Sequence, residues 1–226
     1  MNDFMNQKQV WMSWSSGKDS AFALYELQKQ LNVNVAGLLT TINETHERVA
    51  MHAVRETLLI RQAEELGLPL CRIKIPYGCS NELYETKMLE CMNDAIAKGV
   101  AHIAFGDLFL EDVKQYRETL LKKTSVSPLF PIWHRPTHLL AREMIAIGQK
   151  AIITCIDPKK LPISFVGREF DLAFLSELPN DVDPCGENGE FHSFIYDSPL
   201  FKKTIPVRVG QIIERDGFVF ADVMES

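Results

Sequence analysis

The sequence predicts an α/β protein: a mainly parallel sheet covered by helices on both faces, followed by a smaller mixed α/β C-terminal lobe. Three observations predict it. Over the first two-thirds of the chain, short β-like apolar runs alternate with segments whose apolar residues recur at helical spacing, the signature of consecutive βα units. After about Cys155 this alternation gives way to β-like runs separated by turn-rich polypeptide. The composition, 226 residues with 46% hydrophobic and 24% charged, is that of an ordinary globular chain long enough to bury a sizeable core.

The elements follow in order. Residues 9–14 read as a first strand that ends in Ser15-Ser16-Gly17, and a helix is expected over 18–30, with Phe22, Leu24 and Leu27 among its apolar positions. A second strand covers 33–41. A helix over 52–66 buries Leu58, Leu59, Ala63 and Leu66 and stops at Gly67. A strand over 68–75 meets Pro76, a helix over 81–98 meets Gly99, and a strand over 100–105 ends at Gly106-Asp107. Helices over 110–123 and 136–148 and a short strand over 151–156 come next. Residues 167–178 read as a short helix and 179–186 as turns. Strands are expected over 191–196, 205–215 and 217–223, with Asp216-Gly217 as a hairpin turn. In a parallel sheet ligands sit at the carboxyl ends of the strands, which places Ser15-Ser16-Gly17, Thr40-Thr41 and Gly106-Asp107 around one crevice.

Charge narrows the class of partner. Lys and Arg total 24 against 30 Asp and Glu, a net charge of −6, and the pairs Lys122-Lys123, Lys159-Lys160 and Lys202-Lys203 form no basic stripe. No nucleic-acid partner is expected, and a small-molecule or protein substrate is favoured. No apolar run is long enough to span a bilayer, and Met1-Asn2-Asp3-Phe4 does not open a secretory signal, so neither membrane nor export is expected. The five cysteines contain no CxxC spacing and no close pair, which argues against a disulfide framework or structural zinc and for a cytoplasmic setting. A homodimer is left open.

Two strings carry chemistry. Ser15-Ser16-Gly17-Lys18-Asp19-Ser20 joins the first strand to the first helix. A sharp turn there presents backbone N–H groups at a helix N-terminus, where unpaired donors and the helix dipole attract anions. Ser15 and Ser20 add hydroxyls and Lys18 a charge. Met12 and Asp19 stand where a Walker A loop needs Gly and Ser/Thr, so the string is not that motif. It also reads as a plain capped helix start. The second string runs from Asp183 to Phe194, where Glu187 and Glu190 flank Asn188-Gly189 ahead of His192. Such carboxylates serve Mg²⁺ binding, amine orientation or acid–base chemistry, and equally a polar turn before a strand.

The first string resembles the PP-loop, SGGxDS, of the ATP pyrophosphatases, with Ser16 in place of the first Gly. Joined to the second string, and to residues 105–112, 128–133 and 165–169, it resembles the diphthine–ammonia ligase family, also described as adenine nucleotide alpha hydrolase-like. The Glu187-Asn188-Gly189-Glu190 form is similar to that family's bacterial branch. The resemblance implies a Rossmann-like (HUP-type) sheet, with residues 1–155 as an ATP-binding domain and 156–226 as a substrate-binding lobe. It implies ATP and Mg²⁺ as cofactors, with ATP held by Ser15, Ser16, Gly17, Lys18, Asp19, Ser20 and Asp107, and Mg²⁺ on Asp19. Lys18, Glu187 and Glu190 are the implied catalytic residues. The implied reaction is adenylation of a small-molecule or protein-borne carboxylate with release of AMP and pyrophosphate, then amidation by ammonia. Hydrolysis of an adenine nucleotide at the α-phosphate, a non-catalytic ATP-binding module and PP-loop sulfur transfer stand as alternatives. Bacteria are not expected to make diphthamide, so the ATP chemistry carries over better than the acceptor. His46 and His52 read as solvated or helix-start residues or as neighbours of the adenine. Arg117 reads as a phosphate ligand or a surface pair, and Arg168 and Glu169 as a local ion pair.

Overall fold

A computed structural model describes residues 7–30, 32–45, 48–49 and 54–226. His46 and His52 lie outside the described residues. The first part of the chain comprises β1 (Lys8–Ser13), α1 (Lys18–Gln28), β2 (Val33–Asn43), β3 (Arg48–Val49), α2 (Glu56–Leu66), β4 (Leu70–Ile75), α3 (Asn81–Ala97), β5 (His102–Ala104), α4 (Glu111–Leu121), β6 (Ser127–Leu129) and α5 (Thr137–Ala146). The strands β4-β2-β1-β5-β6 lie side by side and parallel, and β3 pairs antiparallel with the end of β2. Strand order therefore reverses between β1 and β5, the position where ligands bind in open α/β sheets. The expected Rossmann-like architecture is what the chain adopts.

Side-chain alternation on the strands sorts the helices onto two faces. Val10 and Met12 of β1, Leu38 and Ile42 of β2 and Ala104 of β5 pack into a cluster with α1, α2 and α5. Trp11, Leu39 and Ile103, pointing the other way, pack with Met88, Cys91, Met92 and Ala95 of α3 and Leu120 and Leu121 of α4.

The remaining elements are β7 (Lys150–Ile156), α6 (Leu172–Glu177), β8 (Phe191–Asp197), β9 (Val207–Arg215) and β10 (Phe218–Glu225). The four strands form a separate antiparallel sheet in the order β8-β7-β10-β9, which begins at Lys150. The expected Asp-Gly hairpin joins β9 to β10, with Asp216 at φ 52° and Gly217 at φ 81°. This sheet packs on the α1 face: Ile153, Phe194, Ile195, Val219 and Val223 share one core with Val10, Phe22 and Leu24. Helix α1 thus lies between two sheets. Ala21, Phe22, Ala23 and Leu24 are at most 1% exposed, and four consecutive buried positions leave the helix no solvent face over that turn.

Boundaries shift where local signals are short. The strand expected over 100–105 contracts to β5, and the helix expected over 167–178 contracts to α6, because Glu169 bridges to Ile152 of β7 instead. Strands β3 and β6 are additions to the predicted set. Asp222 of β10 receives Arg48 at 2.9 Å and Arg55 at 2.6 Å, which ties the β3–α2 region to the second sheet. The two guanidiniums, Arg55 foremost, hold the Asp222 carboxyl below its ordinary pKa.

Gln62 of α2, fully buried, joins all three layers. Its Oε1 accepts the Trp14 indole N–H at 2.8 Å, and its Nε2 donates to the carbonyls of Ser16 at 3.1 Å and Ile195 at 2.6 Å. Gln62→Leu keeps the volume but strands the buried Trp14 indole N–H and takes one donor each from the Ser16 and Ile195 carbonyls. It is expected to cost about 3 kcal/mol and to lower Tm by roughly 6–12 °C, read by thermal unfolding followed by circular dichroism.

Candidate active site

A cleft of about 650 Å³ opens at the carboxyl ends of β1, β2 and β5, a volume within the usual range for small-molecule sites. Ser15, Asp19 and Ser20 form its floor, and Thr40 and Thr41 follow from β2. Gly106, Asp107 and Arg117 come from β5 and α4, and Tyr84 from α3. The opposite wall is Gly186, Glu187, Asn188, Gly189, Phe191 and His192. The two strings singled out in the sequence therefore face each other across one cavity.

The loop after β1 is built for a close turn. Ser16 takes φ 69°, in the left-handed region that favours glycine, with its side chain fully buried and its Oγ lacking a hydrogen-bond partner. The Ser15 hydroxyl donates to Ser20 Oγ at 3.2 Å, the Ser20 hydroxyl donates to the Gly17 carbonyl at 2.9 Å, and Gly17 N–H donates to Ser15 Oγ at 3.4 Å. Of the first amides of α1, that of Lys18 donates to Ser193 Oγ at 3.2 Å, while those of Asp19 and Ser20 have no acceptor within the helix. Gly106 lies directly against this turn: a Cβ there would come within 2.9 Å of Ser20 N and 3.0 Å of the Asp19 carbonyl carbon.

Lys18 does not line the cleft. It is 1% exposed, and its ammonium donates to both Asp19 oxygens, at 3.0 and 2.9 Å, and to the Cys185 carbonyl. The rings of Phe170 and Phe191 lie 5.3 and 5.1 Å away. Burial opposes the charge most strongly, but Asp19, Cys185 and Asp183 together outweigh it, so the Lys18 pKa stays above the ordinary lysine value. The charge expected on an incoming anion is instead spent inside the protein, tying the loop to the segment around Cys185.

Glu190 likewise points inward. It is 3% exposed and accepts from the amides of Asp183 and Asn188, each at 3.0 Å, and from Asn188 Nδ2 at 2.9 Å. It organises the 183–190 turn, in which Asp183 Oδ2 accepts from Cys185 N and Glu187 N at 3.2 and 3.0 Å. Gly186, at φ 71°, closes the same turn, since a Cβ there would come 2.8 Å from the Phe191 carbonyl oxygen. Glu187 faces the cleft and accepts Leu108 N–H at 2.7 Å. Burial, reinforced by Asp19 and Asp107, pushes its carboxyl up to about 7 against the lowering effect of that hydrogen bond.

Asp107 is held by a two-point contact with Arg117, Nε to Oδ2 at 2.5 Å and an N–H to Oδ1 at 3.0 Å, and the guanidinium lies 4.4 Å from the Phe105 ring centre. Arg117 is thus a paired group on the cleft wall. Among the described residues no cluster of three or more His, Cys, Asp or Glu stands ready to hold a metal. The cleft nevertheless suits Mg²⁺, which takes oxygen ligands from one or two carboxylates and completes its shell with phosphate and water. Asp19, Asp107 and Glu187 line it, and its one lining guanidinium is already engaged.

The structure therefore brings Ser15, Asp19, Ser20, Asp107 and Glu187 together, places Ser16 and Gly17 beneath them, and turns Lys18 and Glu190 away. Arg168 pairs with Glu177 at 2.7 and 3.1 Å, and Glu169 accepts the Tyr196 hydroxyl at 2.9 Å, so the two do not pair with each other. Tyr84 was not singled out in the sequence, since it sits on an otherwise ordinary amphipathic helix. The expectation of no close cysteine pair needs correcting. Cys71 Sγ and Cys91 Sγ lie 2.7 Å apart, because α3 packs on β4, and neither lines the cleft.

Comparison with known proteins gives consistent family matches. The model of the diphthamide synthase N-terminal domain matches residues 8–128, and that of the C-terminal domain residues 136–222. A diphthine–ammonia ligase of Bos taurus is 34% identical over 120 residues, covering 50% of this chain and 45% of its own length. One of Mus musculus is 38% identical over 121 residues, with the same coverage. The matched stretch thus spans about half the length of these curated relatives. A solved U34-tRNA thiolase, NcsA of Methanococcus maripaludis with its 4Fe-4S cluster, superposes with TM-score 0.37 at 18% identity, over 66% of this chain and 60% of that one, too loosely to carry a shared function.

Two outcomes follow from this geometry. Ser16→Gly relieves the left-handed backbone and removes a buried hydroxyl without a partner, against a larger loss of chain entropy. A net gain of about 1 kcal/mol is expected, seen as a Tm rise of roughly 2–4 °C. The Glu187 carboxyl binds its proton more tightly in the folded chain than its ordinary value of 4.5 implies. Its contribution is therefore fullest below that value and is lost as pH rises through about 7. Glu187→Gln should accordingly raise Tm by a few degrees at pH 8 and by less at pH 5.5, in matched thermal scans.

Proposed function

The chain belongs to the diphthamide synthase family, and on that premise we propose that it is an AMP-forming ligase that binds ATP in the cleft, activates a substrate carboxylate and joins it to ammonia. The observation that carries this reading is the meeting, where strand order reverses, of an anion-ready helix N-terminus with the acidic 183–190 turn across a nucleotide-sized cavity.

In this reading the triphosphate lies over the first turn of α1, with Ser15, Ser16, Gly17 and Ser20 around it and the Asp19 and Ser20 amides as donors. Mg²⁺, when bound, neutralises phosphate charge, with Asp19 and Asp107 as its protein ligands. A carboxylate oxygen of the acceptor attacks the α-phosphorus, the bond to the bridging α–β oxygen breaks, and pyrophosphate leaves. The helix N-terminus faces the charge that gathers on the departing group. Ammonia then attacks the acyl carbon of the adenylate and AMP leaves. Glu187, with a carboxyl tuned to about 7, takes the proton that turns ammonium into the nucleophile. Lys18 and Glu190 act as positioning residues that hold the loop and the turn at their working separation.

The acceptor side of the reading rests on a second pocket of about 410 Å³ that shares Val49, Ile75 and His192 with the cleft. Its walls include Tyr77, Phe218, Phe220 and Arg215, so it offers aromatic surface and a cation to a carboxylate-bearing substrate. Residues 1–155 then serve the nucleotide and one wall of the acceptor pocket, through Tyr77 and its neighbours, and 156–226 supply the other, through His192, Arg215, Phe218 and Phe220.

The test is nucleotide product analysis with Mg-ATP, ammonium and a diphthine-bearing elongation factor as acceptor. AMP, pyrophosphate and the amide are expected. Ser20→Ala should raise the KM for ATP several-fold, the worth of about 1 kcal/mol. Formation of ADP and phosphate, or failure to bind a non-hydrolysable ATP analogue in calorimetry, overturns the reading. AMP formed equally fast without acceptor assigns hydrolysis instead.

A further inference from the structure

Outside the cleft, two thiols, those of Cys71 and Cys91, lie against each other, and we infer that they form a reversible oxidation site, a dithiol that a low-molecular-weight disulfide converts into an internal disulfide. The inference is independent of the ligase reading. The two residues are 20 apart in sequence and meet because α3 lies on β4, one of the two edge strands of the parallel sheet. Their sulfurs face each other at 2.7 Å, against about 2.05 Å for the bond itself, so closure needs only a small shift of two side chains.

The pair is asymmetric in the way the chemistry requires. Cys71 is partly exposed at the sheet edge, while Cys91 is buried. Against the opposing effect of burial, a hydrogen bond from the Cys91 thiol, with help from Lys98, draws Cys71 down to about 7, so a fraction is thiolate at neutral pH. Burial instead pushes Cys155 up to about 12 and Cys185 higher still. Cys79 donates to the Ser80 carbonyl.

The exchange runs in two displacements. The Cys71 thiolate attacks one sulfur of the small disulfide, expelling one thiolate and forming a mixed disulfide. Cys91 then loses its proton and attacks the Cys71 sulfur, expelling the second thiolate. Two protein thiols give up two electrons and two protons, and the small disulfide is reduced to two thiols. The product bond staples β4 to α3, the helix that carries Tyr84 into the cleft wall.

The test is peptide mapping of the intact chain, without reductant, after incubation with oxidised glutathione. A Cys71–Cys91 cross-linked peptide lighter by two hydrogens is expected, with free thiols falling from five to three and recovering after dithiothreitol. Cys79→Ser should leave the cross-link unchanged, and Cys71→Ser should abolish it. Retention of all five thiols, a cross-link between any other pair, or a mixed disulfide that stays on Cys71 overturns the inference, and the wild-type map alone decides among these.

Discussion

The carbonyl of Ser16 is the point on which the rest of the structure turns. It lies in a left-handed residue and accepts from two directions, from Gln62 Nε2 of α2 and from the main-chain N–H of Ile195 in β8. Two residues on, the Lys18 amide donates to Ser193 Oγ of the same strand. The loop after β1 is thus held from beneath by the second sheet and from the side by a buried glutamine. With the Ser16 carbonyl and the Lys18 amide satisfied by protein, the loop can present the next amides of α1 to a ligand without collapsing onto the core. The burial of α1 between two sheets follows from the same arrangement.

Most of the architecture was readable in the chain because the signals that define it are local. Apolar spacing marked the long helices, Gly67 and Gly99 marked their ends, and Asp216-Gly217 marked the hairpin. What was missed is short or defined by a neighbour. Strand β3 has two residues, and β6 has three with Pro128 at their centre, tolerated because β6 lies on the sheet edge. The contraction to α6 is set by the bridge from Glu169 to β7, a contact with no local signature.

The candidate site was readable in its members more than in their directions. Ser15, Asp19, Ser20, Asp107 and Glu187 meet as their strings suggest. Lys18 and Glu190 are the same residue types in the same strings, yet both face inward. The Cys185 carbonyl, 167 positions from Lys18, decides the orientation of one, and the amides of a turn decide that of the other. The Cys71–Cys91 contact was hidden for the same reason, since a separation of 20 residues implies proximity only once a helix has been laid across a strand.

The clamp on the loop after β1 also bears on how the molecule is assembled. The contact between Lys18 and Ser193 spans 175 positions, and that between Gln62 and Ile195 spans 133. A ribosome emits β1, the loop and α1 early, but their last anchoring groups emerge only after most of the chain has been made. The nascent N-terminal sheet must therefore wait with one side of α1 uncovered. Such widely separated pairings slow the search for the native state and lengthen the period in which apolar surface is open to chaperones. The finished geometry of the cleft is, in this design, among the last properties the polypeptide acquires.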